Sequence, residues 1–192
     1  MKKITLAALA LIGLVFSAKA QIQKGNVLIG SDLANLNLGL NSPTSFTGTI
    51  SPKAAWFIRD NVALGAYGNL GISTVKGSGS DFTYGVGALG RIYAGGGNEI
   101  IRHGRFFGEA NVGINGQNLS ANGGSTTGLG FGVGPGFAYF ITPSIGLETL
   151  VKYNGIVGFG SSPFANNVNL NFGFQVYLPG RATARKVRND VK

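Results

Sequence analysis

From Gly128 to Gly136 every second residue is glycine, and Leu129, Phe131, Val133 and Pro135 fill the places between. Side chains on a β-strand alternate between its two faces. A strand with this sequence carries apolar groups on one face and nothing on the other. Such a bare wall has a use inside a narrow closed barrel, where long side chains from other strands need the space.

The rest of the chain follows the same period. In "NLNLGL", Asn35, Asn37 and Gly39 alternate with Leu36, Leu38 and Leu40. In "TSFTGTISPKAAWFI", Thr47, Thr49, Ser51 and Lys53 oppose Phe46, Ile50, Ala54 and Trp56. In "NLNFGFQVYL", Asn169, Asn171, Gly173 and Gln175 oppose Leu170, Phe172, Phe174, Val176 and Leu178. No stretch after the N-terminal segment holds an apolar period of 3.6 over several turns. Strict alternation with aromatic and β-branched residues predicts strands with one polar and one apolar face. Turn signals divide the chain into eight: 26–40, 45–58, 62–74, 81–95, 105–117, 126–141, 145–158 and 167–179. Two connections, "RDN" and "TPS", are tight. Polar stretches near 75–81, 116–126 and 159–167 are expected to be longer loops at the other end.

The N-terminus reads as an export signal. Lys2 and Lys3 precede an apolar run from Ile4 to Phe16, and Ala18 and Ala20 fit a small-residue cleavage site. The run is too short to span a bilayer. Residues 1–20 are therefore expected to be a signal peptide, 21–180 a barrel, and 181–192 a basic tail. The full chain has a formal charge of +9, but without residues 1–20 and the tail only +2 remains, so no nucleic-acid footprint covers the barrel. There are 33 glycines with no collagen period, and no cysteine, which removes disulfides and thiolate chemistry.

Three features place the apolar face outside. The apolar faces run for the nine to eleven residues that a tilted membrane strand needs. The polar faces hold Thr, Ser, Asn, Gln and Gly rather than the Lys and Glu of a water-exposed surface. Trp56, Tyr93, Phe106, Tyr139, Phe140 and Tyr177 gather near the short turns, as in an interfacial aromatic girdle. The expected fold is all-β: an eight-stranded antiparallel up-and-down transmembrane barrel. The same alternation aims Lys53, Arg91, Glu109, Glu148 and Lys152 inward. Buried charges need partners, so these five are expected to form a structural ion-pair network, with Arg91 and Glu109 as neighbours.

Other motifs carry little. "GVGALG" at 85–90 matches a dinucleotide fingerprint, but the strand pattern continues through it where a helix is required. His103 is the only histidine and is expected in a solvated connection. No G-x-S-x-G is present. Pro52 and Pro135 fall within strand patterns, where bulges would reconcile them. No catalytic residue, cofactor or metal site is expected.

The stretches "SPKAAWFIRDNVALGAYGNLG" at 51–71, "FAYFITPSIGLETLVKY" at 137–153 and "NLNFGFQVYL" at 169–178 resemble the small outer-membrane β-barrel proteins of Gram-negative bacteria. The likeness is to the OmpA/OmpX-like, or porin-family, group, in versions common in Bacteroidetes. It implies an outer-membrane location among lipid and lipopolysaccharide, and insertion by the barrel-assembly machinery. The basic tail offers a contact for peptidoglycan. The expected role is structural or surface-related, with at most a narrow solute path. A small-solute porin channel, or a secreted soluble barrel holding an apolar ligand, are the other readings.

Overall fold

A computed structural model describes residues 22–39, 43–95, 103–119, 124–159 and 165–180. The expected signal peptide and basic tail lie outside the described residues. The eight strands are β1 (Val27–Gly39), β2 (Ser45–Arg59), β3 (Val62–Val75), β4 (Gly79–Tyr93), β5 (Gly104–Leu119), β6 (Gly124–Thr142), β7 (Ile145–Gly158) and β8 (Ala165–Leu178). Each pairs antiparallel with the next, and β8 returns to β1 through pairs such as Leu28 with Tyr177, closing the barrel. Closure leaves no unpaired edge.

The strands begin and end within two residues of the expected segments. The loops differ more. The β3–β4 connection is only Lys76, Gly77 and Ser78, with Gly77 and Gly79 at positive φ. Most of the polar stretches at 75–81 and 116–126 is strand. Near a rim both faces of a strand meet water, so both become polar and the alternation that marks a strand disappears.

Alternation sorts the side chains as expected along β6. Gly128, Gly130, Gly132, Gly134 and Gly136 face the lumen, while Leu129, Val133 and Pro135 are exposed outside. In β1 the alternation slips. Asn35 has φ of 53°, and the β1–β2 register shifts between Ala34 and Asn37. This bulge lets Leu33 and Leu36 both face outward. It also turns Asp32 into the lumen, where the pattern of "NLNLGL" extended backward would have put it outside.

The prolines are accommodated without bulges. The β2–β3 pairs resume at Lys53 with Tyr67 after Ile50 with Leu70, and the β6–β7 pairs resume at Gly136 with Leu150 after Val133 with Tyr153. Register is kept across both gaps. Each proline simply leaves a short break in one ladder, where its missing N–H would have been.

Several glycines sit directly opposite aromatic residues. Phe107 pairs with Gly136 and Tyr67 with Gly87 inside; Tyr84 pairs with Gly116 and Phe131 with Gly155 outside. A Cβ built on any of these four glycines would collide with the facing ring. The ring covers the backbone that the glycine leaves bare, a known way of pinning register.

The bulge gives a first prediction. A β-branched residue at φ near 53° is strained, at a cost of about 1–2 kcal/mol. Asn35→Val should lower the guanidinium midpoint of the lipid-reconstituted protein accordingly, and Asn35→Gly should lower it less.

Candidate functional site

The lumen has three layers. At the end carrying the tight turns, an apolar layer closes the barrel. Leu28, Phe57, Leu89, Tyr93, Phe107, Phe140, Leu150 and Tyr177 are all buried there, joined by Ile22 from the segment before β1. Ring centroids are 5.5 Å apart for Tyr93 and Phe107 and 5.1 Å for Phe140 and Tyr177. The entering chain is tied to this base: Gly25 N–H donates to the Phe57 carbonyl at 2.7 Å, and Asn61 N–H to the Ile22 carbonyl at 2.9 Å.

The layer above holds the ionisable groups, centred on Glu109. Its Oε2 accepts from Arg91 Nη2 at 2.6 Å, Arg91 Nε at 3.1 Å and Lys53 Nζ at 2.9 Å. Its Oε1 accepts from Lys152 Nζ at 3.1 Å. Arg91 Nη1 reaches both oxygens of Glu148 at 2.8 Å. Its guanidinium carbon also lies 4.1 Å from the centroid of the Phe107 ring, so the ion pairs rest on the aromatic base. The structure thus brings together all five ionisable residues read from the sequence, with Arg91 and Glu109 in direct register.

Sequence reasoning missed a sixth. Asp32 binds Lys53 Nζ at 2.5 Å and accepts from Gln175 Nε2 at 2.9 Å. The bulge at Asn35 concealed it. With Asp32 included, three acids face three bases and the set is neutral. Such balance limits the penalty of burying charge, which is severe for any unpaired ion.

Three of the six residues assigned to an outer girdle belong to the lumen instead. Trp56, Phe106 and Tyr139 are 56%, 59% and 50% exposed, but Tyr93, Phe140 and Tyr177 are 3%, 3% and 0%. Alternation gives the reason. Tyr93 shares a face with Arg91, and Tyr177 with Gln175; Phe140 follows Tyr139 and cannot point the same way. Inside, Tyr177 Oη donates to Glu148 at 2.6 Å, Tyr93 Oη lies 2.7 Å from Tyr177 Oη, and Arg91 donates to Tyr93 at 2.9 Å. Phe46, Phe82, Tyr84 and Tyr153 are exposed toward the opposite rim. Phe46 and Trp56 lie ten residues apart on one face of β2, about 33 Å along the strand. At a tilt of roughly 45°, that is about 23 Å of height, close to the ~25 Å apolar band of membrane barrels.

The bare wall now has its purpose. Gly132 and Gly134 lie between Glu109 on β5 and Lys152 on β7. A Cβ at Gly132 would meet Lys152 Cε at 2.8 Å and Asn111 Oδ1 at 2.6 Å. At Gly130 it would meet the Asn115 amide, and at Gly136 the Phe107 ring. At Gly128 and Gly134 it would meet carbonyls of β7. β6 gives the network nothing but space, and through that space β5 and β7 touch.

The third layer, at the far end, is an open cup of about 320 Å³. His103 lies at the opposite end, exposed.

This combination defines a class: a small closed barrel of eight strands, apolar outside and polar within. Two solved structures are similar to it in fold. One is the crystal structure of Neisserial surface protein A, with 20% identity over 79% of this chain and 95% of that one, and a TM-score of 0.55. The other is the solution structure of outer membrane protein H (OprH) from P. aeruginosa, with 14% identity over 80% and 99%, and a TM-score of 0.57. No protein-family model and no curated protein matches the sequence.

Breaking a buried ion pair from one side costs about 3–5 kcal/mol. Glu109→Gln should therefore lower the temperature at which the folded band is lost on SDS gels, while Asp60→Asn at the exposed turn should not. Gly132→Leu should act in the same direction without removing any charge, by displacing Lys152.

Proposed function

We propose that this chain is a non-enzymatic integral outer-membrane barrel with a structural or surface role, and that its lumen is closed to through-passage. The observation that carries this is the pairing of an apolar exterior with a sealed interior. Ile29, Leu64, Val86, Val112, Val133, Leu147 and Phe172 are exposed around the wall. In water such a surface would drive aggregation; in a bilayer it is the expected one. A soluble barrel carrying an apolar ligand needs the opposite arrangement.

Passage is opposed twice. The ion-pair layer spans the lumen with side chains from β1, β2, β4, β5 and β7, and the aromatic layer lies beneath it. Two girdles, near Trp56 and near Phe82, fit the two interfaces of a membrane. Lipid and lipopolysaccharide are the partners that this surface fits. Insertion by the barrel-assembly machinery, membership of the OmpA/OmpX-like group, and a contact of residues 181–192 with peptidoglycan extend the same reading.

Two measurements test it. The protein should fractionate with the outer membrane and migrate faster in SDS unboiled than boiled. In planar bilayers it should show no steady open level, whereas Arg91→Ala combined with Phe107→Ala, which opens both layers, should admit ions. Steady conductance from the unaltered protein would make it a channel instead.

A further inference from the structure

The cup above the ion-pair layer is not explained by stability or by closure. Nine of its 22 lining residues are asparagine. They come from different strands: Asn35 from β1, Asn69 from β3, Asn111 and Asn115 from β5, Asn154 from β7, and Asn171 from β8, among others. Serine or threonine would satisfy a merely wet wall. Asparagine adds a donor pair and an acceptor at the end of one short side chain.

Among the described residues, the charged groups that line the cup are already engaged. Lys152 binds Glu109 at 3.1 Å, and Asp32 is held by Lys53 and Gln175. The network beneath is neutral. The cup therefore offers no surplus charge to an ion.

Its floor is Tyr67. The ring crosses two strands. A Cβ on Gly87 would meet Tyr67 Cε1 at 2.8 Å, and one on Gly113 would meet its hydroxyl at 2.8 Å. The Lys152 ammonium lies 5.7 Å from the ring centroid. The Tyr67 hydroxyl lies beside the carboxamides of Asn111 and Asn115 without a well-formed hydrogen bond to either. Among the described residues, neither Asn111 Oδ1 nor Asn115 Oδ1 has a hydrogen-bond partner. Tyr67 itself is only 8% exposed. Tyr67 Oη, Asn111 Oδ1 and Asn115 Oδ1 thus retain hydrogen-bonding capacity in a buried place, where such groups are normally satisfied.

We infer that the cup is a binding site for one neutral sugar ring. A pyranose presents hydroxyls that donate and accept at once, which matches a wall of carboxamides. Its volume of about 320 Å³ is at the small end of the roughly 300–1,000 Å³ of ligand pockets. A neutral polar ligand suits a site whose charges cancel. The ring can come from a free monosaccharide or from the end of a glycan chain. The site depends on the cup alone and not on whether the lumen conducts.

The test is a titration of the full chain in detergent micelles, following asparagine side-chain amide signals by NMR. Methyl glycosides of glucose, mannose, galactose and N-acetylglucosamine probe the free ring. Linear tetrasaccharides ending in the same sugars probe chain ends. At least one probe should give saturable shifts of the Asn111 and Asn115 amides. The affinity should be unchanged by salt, and glucuronate should bind at least tenfold more weakly than its neutral counterpart. Asn111→Ala and Asn115→Ala should each weaken binding tenfold or more while the unboiled gel band persists. Saturation by the glycosides assigns a free sugar, and saturation by the tetrasaccharides alone assigns a glycan end. No saturable shift with any probe, or glucuronate binding as tightly as glucose, overturns the inference. The wild-type titration decides the matter even if the variants fail to fold.

Discussion

Closure is the constraint on which everything else rests. A sheet that returns on itself has no edge, so apart from the short breaks at Pro52 and Pro135 and the bulge at Asn35 the backbone groups between the rims find partners within the sheet. It also leaves each residue only two directions, inward or outward. Eight strands enclose a lumen just wide enough for side chains to fill. What the inward face carries therefore decides whether the barrel is a tube, a rod or a cup. Here it is a cup: aromatic at the base, ionic in the middle and amide-lined at the mouth.

These layers depend on one another. The aromatic base supports Arg91 through Phe107 and excludes water from beneath the ion pairs. The ion pairs in turn reach the tyrosines of the base, through Tyr177 to Glu148 and Arg91 to Tyr93. Glu109 could not meet Lys152 if β6 presented a side chain between them. The glycines from 128 to 136 are thus as much a part of the network as the charges. A row of residues with no side chains sets where the long ones can go.

Most of this was legible in the sequence, because period two is a strong signal and a closed barrel obeys it almost everywhere. Strand number, strand limits and the inward course of Lys53, Arg91, Glu109, Glu148 and Lys152 follow from it. The failures have physical causes. Asp32 was hidden because one residue in left-handed geometry, Asn35, reverses the count. Asparagine flanked by alternating leucines was the available hint, since it tolerates that geometry where leucine does not. Nearness to a turn points Tyr93, Phe140 and Tyr177 to the girdle, but alternation overrides it: Tyr93 and Arg91 share a face by simple parity. The short β3–β4 turn was missed because strands beyond the bilayer lose their apolar face. The division of the lumen into layers lay beyond the sequence, since it depends on which residues of eight strands share a height.

The central claim is that the apolar face of every strand meets lipid. It can be tested residue by residue, because the chain has no cysteine and single ones can be introduced freely. We would place spin labels in turn at Leu170, Phe172 and Phe174 on β8 and at Val86 on β4, reconstitute each variant in bilayers, and measure collision with oxygen and with a water-soluble nickel chelate. The account predicts high oxygen and low nickel accessibility at all four sites, greatest toward the middle of the belt. Nickel accessibility at these positions matching that of a label at the exposed turn residue Asp60 would contradict it, and would mean that this face meets water.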